Sequence, residues 1–162
     1  MTTFTTARLC DAHSSENHFQ VAEPLFKFYG ATQVFSGQVT TLKVFEDDVL
    51  ISNTLAEKVA GRVLVIDGGG SHRCALVDNE LATLALDNGW QGLVIYGCVR
   101  DSALIDQLPL GIRALHTQPL KSHQKGLGDR DQLVTFAGVN FKKDYFLYAD
   151  ADGIIVSATR LS

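Results

Sequence analysis

Arg100 and Asp101 stand together at the end of the run Gly92-Leu93-Val94-Ile95-Tyr96-Gly97-Cys98-Val99. Four apolar residues, Leu93 to Tyr96, bounded by glycines suit a strand covered on both faces, and Gly97 is expected to break it. A rigid strand that ends in a loop carrying a cation and a carboxylate is a common way to position chemistry. The same pair could equally be a surface ion pair, or Asp101-Ser102 the cap of the next helix. A second cluster, Asp78-Asn79-Glu80-Leu81, opens an apolar-periodic segment that runs to Asn88-Gly89. Asp78 fits an N-cap, and free amides at positions 79–81 of a helix start form an anion site. The glycine run Gly68-Gly69-Gly70-Ser71 follows an apolar stretch but lacks a dinucleotide fingerprint, since position 73 is Arg73, and lacks a phosphate-loop lysine. It reads better as a wall that a ligand or a neighbouring subunit packs against. His123 has no partner at ligand spacing, and Asp150-Ala151-Asp152-Gly153 lacks the other positions of a calcium loop.

The elements that would position these groups follow from periodicity. Arg62 to Asp67 reads as a strand, residues 79–88 as a helix and residues 93–96 as a strand. That is a βαβ unit with a parallel strand pair, which gathers strand ends, glycine turn and helix N-terminus in one place. Upstream, a short helix is expected within residues 8–20, and a turn or short helix from Glu23-Pro24 ending by Gly30. One long strand is expected over 33–45, bending at Gly37. Glu46-Asp47-Asp48 then supplies acidic charge to the start of a helix running to about Ala60, stopped by Gly61. Downstream, the pattern predicts a helix over 103–108 before Pro109 and a strand over 111–116. A mobile polar loop over 118–131 follows. Three β segments close the chain, at 133–141 with a kink at Gly138, 145–148 and 154–157, the last two joined by a turn at 150–153.

A chain of 162 residues with 46% apolar and 20% charged residues is one globular domain with a real core. Its net charge of -4 and the lack of a basic run argue against direct nucleic-acid binding. No apolar run reaches membrane-spanning length and no signal pattern opens the chain, so a cytoplasmic protein is expected. Cys10, Cys74 and Cys98 are odd in number and lack metal-site spacing, which fits reduced thiols.

Four runs together resemble one family. They are residues 21–26 (VAEPLF), 61–71 (GRVLVIDGGGS), 92–101 (GLVIYGCVRD) and 147–157 (LYADADGIIVS). The chain resembles the regulator of ribonuclease activity A and 4-hydroxy-4-methyl-2-oxoglutarate aldolase family over nearly its whole length. The resemblance implies a compact α/β single domain, residues 1–162, with central β structure flanked by helices, of the swivelling β/β/α type, assembled as a homotrimer. It implies one of two functions. One is a divalent-metal aldolase that cleaves 4-hydroxy-4-methyl-2-oxoglutarate to two pyruvates and decarboxylates oxaloacetate. The other is a regulator that binds ribonuclease E and inhibits its RNA cleavage. The family also carries a history of labelling as a menaquinone-pathway methyltransferase.

The aldolase motif is a glycine, twenty intervening residues and Arg-Asp. Arg100-Asp101 matches, while Asn79 stands at the glycine position. A further acidic residue, three positions beyond the Asp, falls on Leu104, with Asp106 the nearest carboxylate. The resemblance makes Asp101 the ligand of Mg²⁺ or Mn²⁺ and Arg100 a catalytic, substrate-binding clamp. Amides around Asp78, Asn79, Glu80 and Leu81 would hold the pyruvyl carboxylate. The base could be a metal-bound water, Asp78 or a carboxylate of a neighbouring subunit. No lysine is expected in this site, which leaves the metal rather than a Schiff base to stabilise the enolate.

Overall fold

Residues 63–66 and 93–95 are fully buried, a condition met by strands inside a sheet with both faces covered. The computed structural model describes residues 4–162. The chain begins with helix α1 (Thr6–His13) and strands β1 (Phe19–Val21), β2 (Lys27–Tyr29) and β3 (Phe35–Lys43). Helix α2 (Val49–Leu55), strands β4 (Val63–Asp67) and β5 (Ala75–Val77), and helix α3 (Asn79–Asp87) follow. Then come strand β6 (Gly92–Val99), helix α4 (Ser102–Ile105), and strands β7 (Gly111–Thr117) and β8 (Asp129–Arg130). Strands β9 (Val134–Phe136), β10 (Val139–Phe141), β11 (Phe146–Asp150) and β12 (Gly153–Ser157) complete it. This is the expected α/β architecture.

One mixed sheet runs in the order β1-β12-β11-β3-β4-β6-β7-β2, with β5 paired to β6 and β8 to β3. Strands β3, β4, β6 and β7 are parallel neighbours. The predicted βαβ unit is therefore present, as β4-α3-β6 with Val63 opposite Gly92. Alternation along β4 divides the core. Leu64 and Ile66 join Ile51, Leu55, Ala82 and Trp90 under the helices. Val63 and Val65 join Phe35, Phe141 and Leu147 on the other face.

The long strand is continuous from Phe35 to Lys43 and exchanges one pairing partner for another between Gln38 and Val39. Residues 35–38 pair with β11, and residues 39–43 pair with β4. Gly37 lies against the Gly61 carbonyl so closely that a Cβ there would sit 2.2 Å from its oxygen.

Several expectations need correction. The strand expected to end at Tyr96 continues to Val99, with an irregularity between Ile95 and Cys98 that absorbs Gly97. The helix expected to reach Ala60 ends at Leu55, because the amides of Val59 and Gly61 bond to the carbonyls of Asn88 and Gly89. The helix expected to reach Leu108 ends at Ile105. The segment 133–141 is a tight hairpin, not one kinked strand. Its turn residues Ala137 and Gly138 both have positive φ, at 52° and 71°, as a primed two-residue turn requires. Segment 27–29 is a strand against β7, where the sequence suggested only a turn or helix.

Candidate active site

Residues 77–81 and 99–101 meet because β5 runs parallel to the far end of β6, with Val77 opposite Val99. The Arg100 amide bonds to the Val77 carbonyl at 3.0 Å. Both chains then leave the sheet side by side, one into α3 and the other into α4. The sequence reading did not assign Ala75–Val77 as a strand, yet this short strand is what brings the two motifs together.

At the start of α3, Asp78 caps the helix: its Oδ1 accepts from the Leu81 amide at 2.9 Å. Its Oδ2 faces Arg100, 3.6 Å from Nη2. The Arg100 Nη1 also donates to the Pro119 carbonyl at 3.4 Å. The guanidinium is thus half-buried and held between a carboxylate and a carbonyl, with capacity left for an incoming anion.

Asp101 has a left-handed backbone, φ 58° and ψ 35°, and makes no side-chain cap on α4. A non-glycine residue there is strained and stays only where its surroundings demand it. The turn aims its side chain back at α3, where Oδ2 accepts from the Asn79 amide at 3.2 Å. The helix-cap reading of Asp101-Ser102 therefore fails as a side-chain contact, and the carboxylate points to the Asp78–Leu81 cluster. Asn79 reaches it with its backbone N–H, an interaction open to a glycine or an asparagine alike.

The amides expected to form an empty anion site are partly engaged. Of those at 79–81, Asn79 and Leu81 already donate to the carboxylates of Asp101 and Asp78. Asp106, the nearest substitute for the motif's further acid, accepts from the Gly30 amide at 2.8 Å and serves the fold there. Leu104 is exposed.

The sequence reading placed no lysine in this neighbourhood. The structure puts Lys121 on a small cavity of about 130 Å³ that it shares with Asp48, Ser52, Asp78, Glu80 and Gln124. Lys121 arrives through the segment expected to be a mobile loop. That segment is fixed instead: Lys121 bridges to Ala75 and His123 to Asp47. Asp47 accepts from the amides of Val49, Lys125, Gly126 and Leu127. Asp48 accepts from the Ser122 hydroxyl and the Gln124 amide. Of the three acids expected to serve the start of α2, Asp47 and Asp48 are thus buried and anchor the loop, while Asp47 also accepts from the first amide of that helix.

The glycine run faces the protein itself. A Cβ on Gly68 would meet Leu76, one on Gly69 Phe45, and one on Gly70 the Tyr96 ring. These contacts leave little room for a side chain at the three positions, and Gly69 itself stays exposed.

No group of three or more His, Cys, Asp or Glu side chains placed to hold a metal occurs among the described residues. The donor chemistry at Asp101 fits a hydrated hard cation. The carboxylate belongs to an exposed residue and is anchored through Oδ2, and Mg²⁺ often uses one or two carboxylates with waters.

Comparison with known proteins identifies the family of the chain. The Aldolase/RraA family model matches residues 6–156. A Methylococcus capsulatus protein named "Putative 4-hydroxy-4-methyl-2-oxoglutarate aldolase" is 62% identical over 98% of both chains. An Arabidopsis thaliana protein of the same name, numbered 3, is 48% identical over 100% of this chain and 99% of its own. Two solved structures superpose with a TM-score of 0.94. One, from Geobacillus kaustophilus, is described as an S-adenosylmethionine:2-dimethylmenaquinone methyltransferase; it is 44% identical and covers 98% of this chain and 97% of its own. The other is the RNA-processing inhibitor RraA from Thermus, 37% identical over 99% and 96%. The parallel strand ends that carry Asp78-Asn79 and Arg100-Asp101 thus belong to a member of the RraA-like aldolase family.

Proposed function

We propose that this chain is a divalent-metal-dependent lyase that cleaves 4-hydroxy-4-methyl-2-oxoglutarate to two pyruvates and also decarboxylates oxaloacetate. The observation that carries the reading is the approach of the Asp101 carboxylate to the Asn79 amide, with the Arg100 guanidinium beside Asp78. The names of the full-length relatives support the substrate class.

Asp101 would hold Mg²⁺ or Mn²⁺. When bound, the metal supplies Lewis-acid stabilisation of the negative charge that develops on the 2-oxo group. Arg100 orients the substrate carboxylate with its planar fork and adds positive charge where the enolate forms. Asp78 holds Arg100 from behind and fixes the first turn of α3. Were Asp101 to hold the cation through Oδ2, the Asn79 N–H would be available to a substrate carboxylate at the positive end of the helix. Decarboxylation needs only the part of this arrangement that stabilises the enolate.

The homotrimer that the resemblance implies is part of the proposal. A cytoplasmic location completes the proposal. Among the described residues no helix is long and apolar enough to cross a membrane.

The test is pyruvate release from both substrates, with Mg²⁺ and with excess chelator. Chelator-sensitive release that Asp101→Ala abolishes is the expected result. Turnover that is unaffected by either change would refute the site.

A second reading is favoured by the likeness to the Thermus RNA-processing inhibitor: binding to ribonuclease E through a protein surface, with inhibition of RNA cleavage. Pull-down with purified ribonuclease E and an RNA-cleavage assay decide it. No association and unchanged cleavage remove it.

A further inference from the structure

Arg113, in the middle of β7, is the one buried lysine or arginine among the described residues, at 1% exposure. Its guanidinium lies 3.9 Å from the centroid of the Phe28 ring and 5.1 Å from that of Phe35. Nη2 donates to the carbonyls of Gln33 and Asp150 at 2.5 and 3.3 Å, and Nη1 to that of Ile112 at 3.5 Å. Nε is buried and donates to nothing among the described residues. Among the described residues no carboxylate forms an ion pair with this cation. The Asp150 carboxylate is committed to the amide and hydroxyl of Thr6 and the amide of Asp152. Burial pulls Arg113 down from its ordinary value to about 10, and only partly does Asp150 oppose this. A buried guanidinium with dipoles but no counter-charge is an expensive arrangement that an anion would relieve.

A cavity of about 200 Å³ opens beside it and shares no residue with the Asp78–Leu81 and Arg100–Asp101 cluster. Its walls are apolar, including Pro24, Phe26, Phe28 and Ile154. Two exposed carboxylates, Glu23 and Asp152, stand among its lining residues. A simple anion would be attracted by Arg113 and repelled by this pair. A simple amine would meet the reverse. A zwitterion with a hydrocarbon side chain satisfies all three features.

We propose that this cavity binds a small apolar α-amino acid. Its carboxylate faces Arg113, its ammonium group meets Glu23 and Asp152, and its side chain packs against Phe26, Phe28 and Pro24. The occupant reaches Arg113 by rotation of Phe28, which is 40% exposed.

The test is isothermal titration of the whole protein with three probes: L-leucine, 4-methylpentanoate, which lacks the amine, and 3-methylbutylamine, which lacks the carboxylate. L-Leucine is expected to bind, and each analogue to bind at least about tenfold more weakly. The double variant Glu23→Gln, Asp152→Asn changes only exposed side chains, and should keep its Tm while losing at least about tenfold in L-leucine affinity. Arg113→Gln should abolish binding where it folds. The proposal is overturned by no L-leucine binding, by an analogue that binds as well or better, or by unchanged affinity in the double variant.

Discussion

Asp101 Oδ2 accepts a hydrogen bond from the Asn79 amide at 3.2 Å while Asp101 itself holds a left-handed backbone conformation. The strain and the contact explain one another: the turn is what points a carboxylate from the end of β6 at the first turn of α3. Asp101→Asn keeps a residue that tolerates this backbone but removes the charge. It should fold with nearly unchanged Tm and lose at least about a hundredfold in metal-dependent kcat, or about 3 kcal/mol of transition-state stabilisation. Circular dichroism melts and pyruvate-release kinetics check both halves.

Arg100 bridges Asp78 Oδ2 and the Pro119 carbonyl. A lysine keeps the charge but cannot span both partners and a substrate oxygen. Arg100→Lys should lower kcat/KM by about tenfold to a hundredfold, with little change in unfolding midpoint because the position is only half-buried.

Asp47 gathers the amides of Val49, Lys125, Gly126 and Leu127. Burial raises its pKa, but those four amides outweigh burial and hold it below the ordinary value of 3.8. A depressed carboxylate contributes stability that is present above its unfolded pKa and fades as pH falls through the folded one. Asp150, held down by Thr6 and the turn amides against its own burial, acts in the same direction. Thermal stability should therefore be level near neutrality and fall below about pH 4. Asp47→Ala should cost about 2–3 kcal/mol and expose the 121–128 segment to limited proteolysis. Melts from pH 7 to pH 3 on both proteins provide the measurement.

Gly37 lies two residues before β3 begins to pair with β4 at Val39, and a Cβ there would overlap the Gly61 carbonyl oxygen at 2.2 Å. Backbone cannot yield as a side-chain tip can. Gly37→Ala should destabilise by about 2–4 kcal/mol, seen as a lower denaturant midpoint with an unchanged m-value.

Some of this molecule was legible before any coordinates. Val63 to Ile66 and Leu93 to Ile95 had to be interior strands, because continuous apolar runs cannot face water. Asp78 had to cap a helix, since its oxygen satisfies an amide that the helix leaves open. The Arg100-Asp101 pair stood out as a cation and a carboxylate held at a strand end. Tertiary structure decided where those groups meet. Ala75–Val77 is too short to be read as a strand, and only its pairing with β6 sets Val77 beside Val99. The fates of Asp47 and Asp48 depended on a loop more than 70 residues away, a contact that local periodicity does not encode. Arg113 was the least legible, since a charged residue in a strand reads as solvent-facing until Phe28 and the Asp150 turn are seen to enclose it. Hydrogen bonding and burial along a segment are local and leave a pattern in sequence. Packing between distant segments satisfies the same physical demands by partners the pattern does not name.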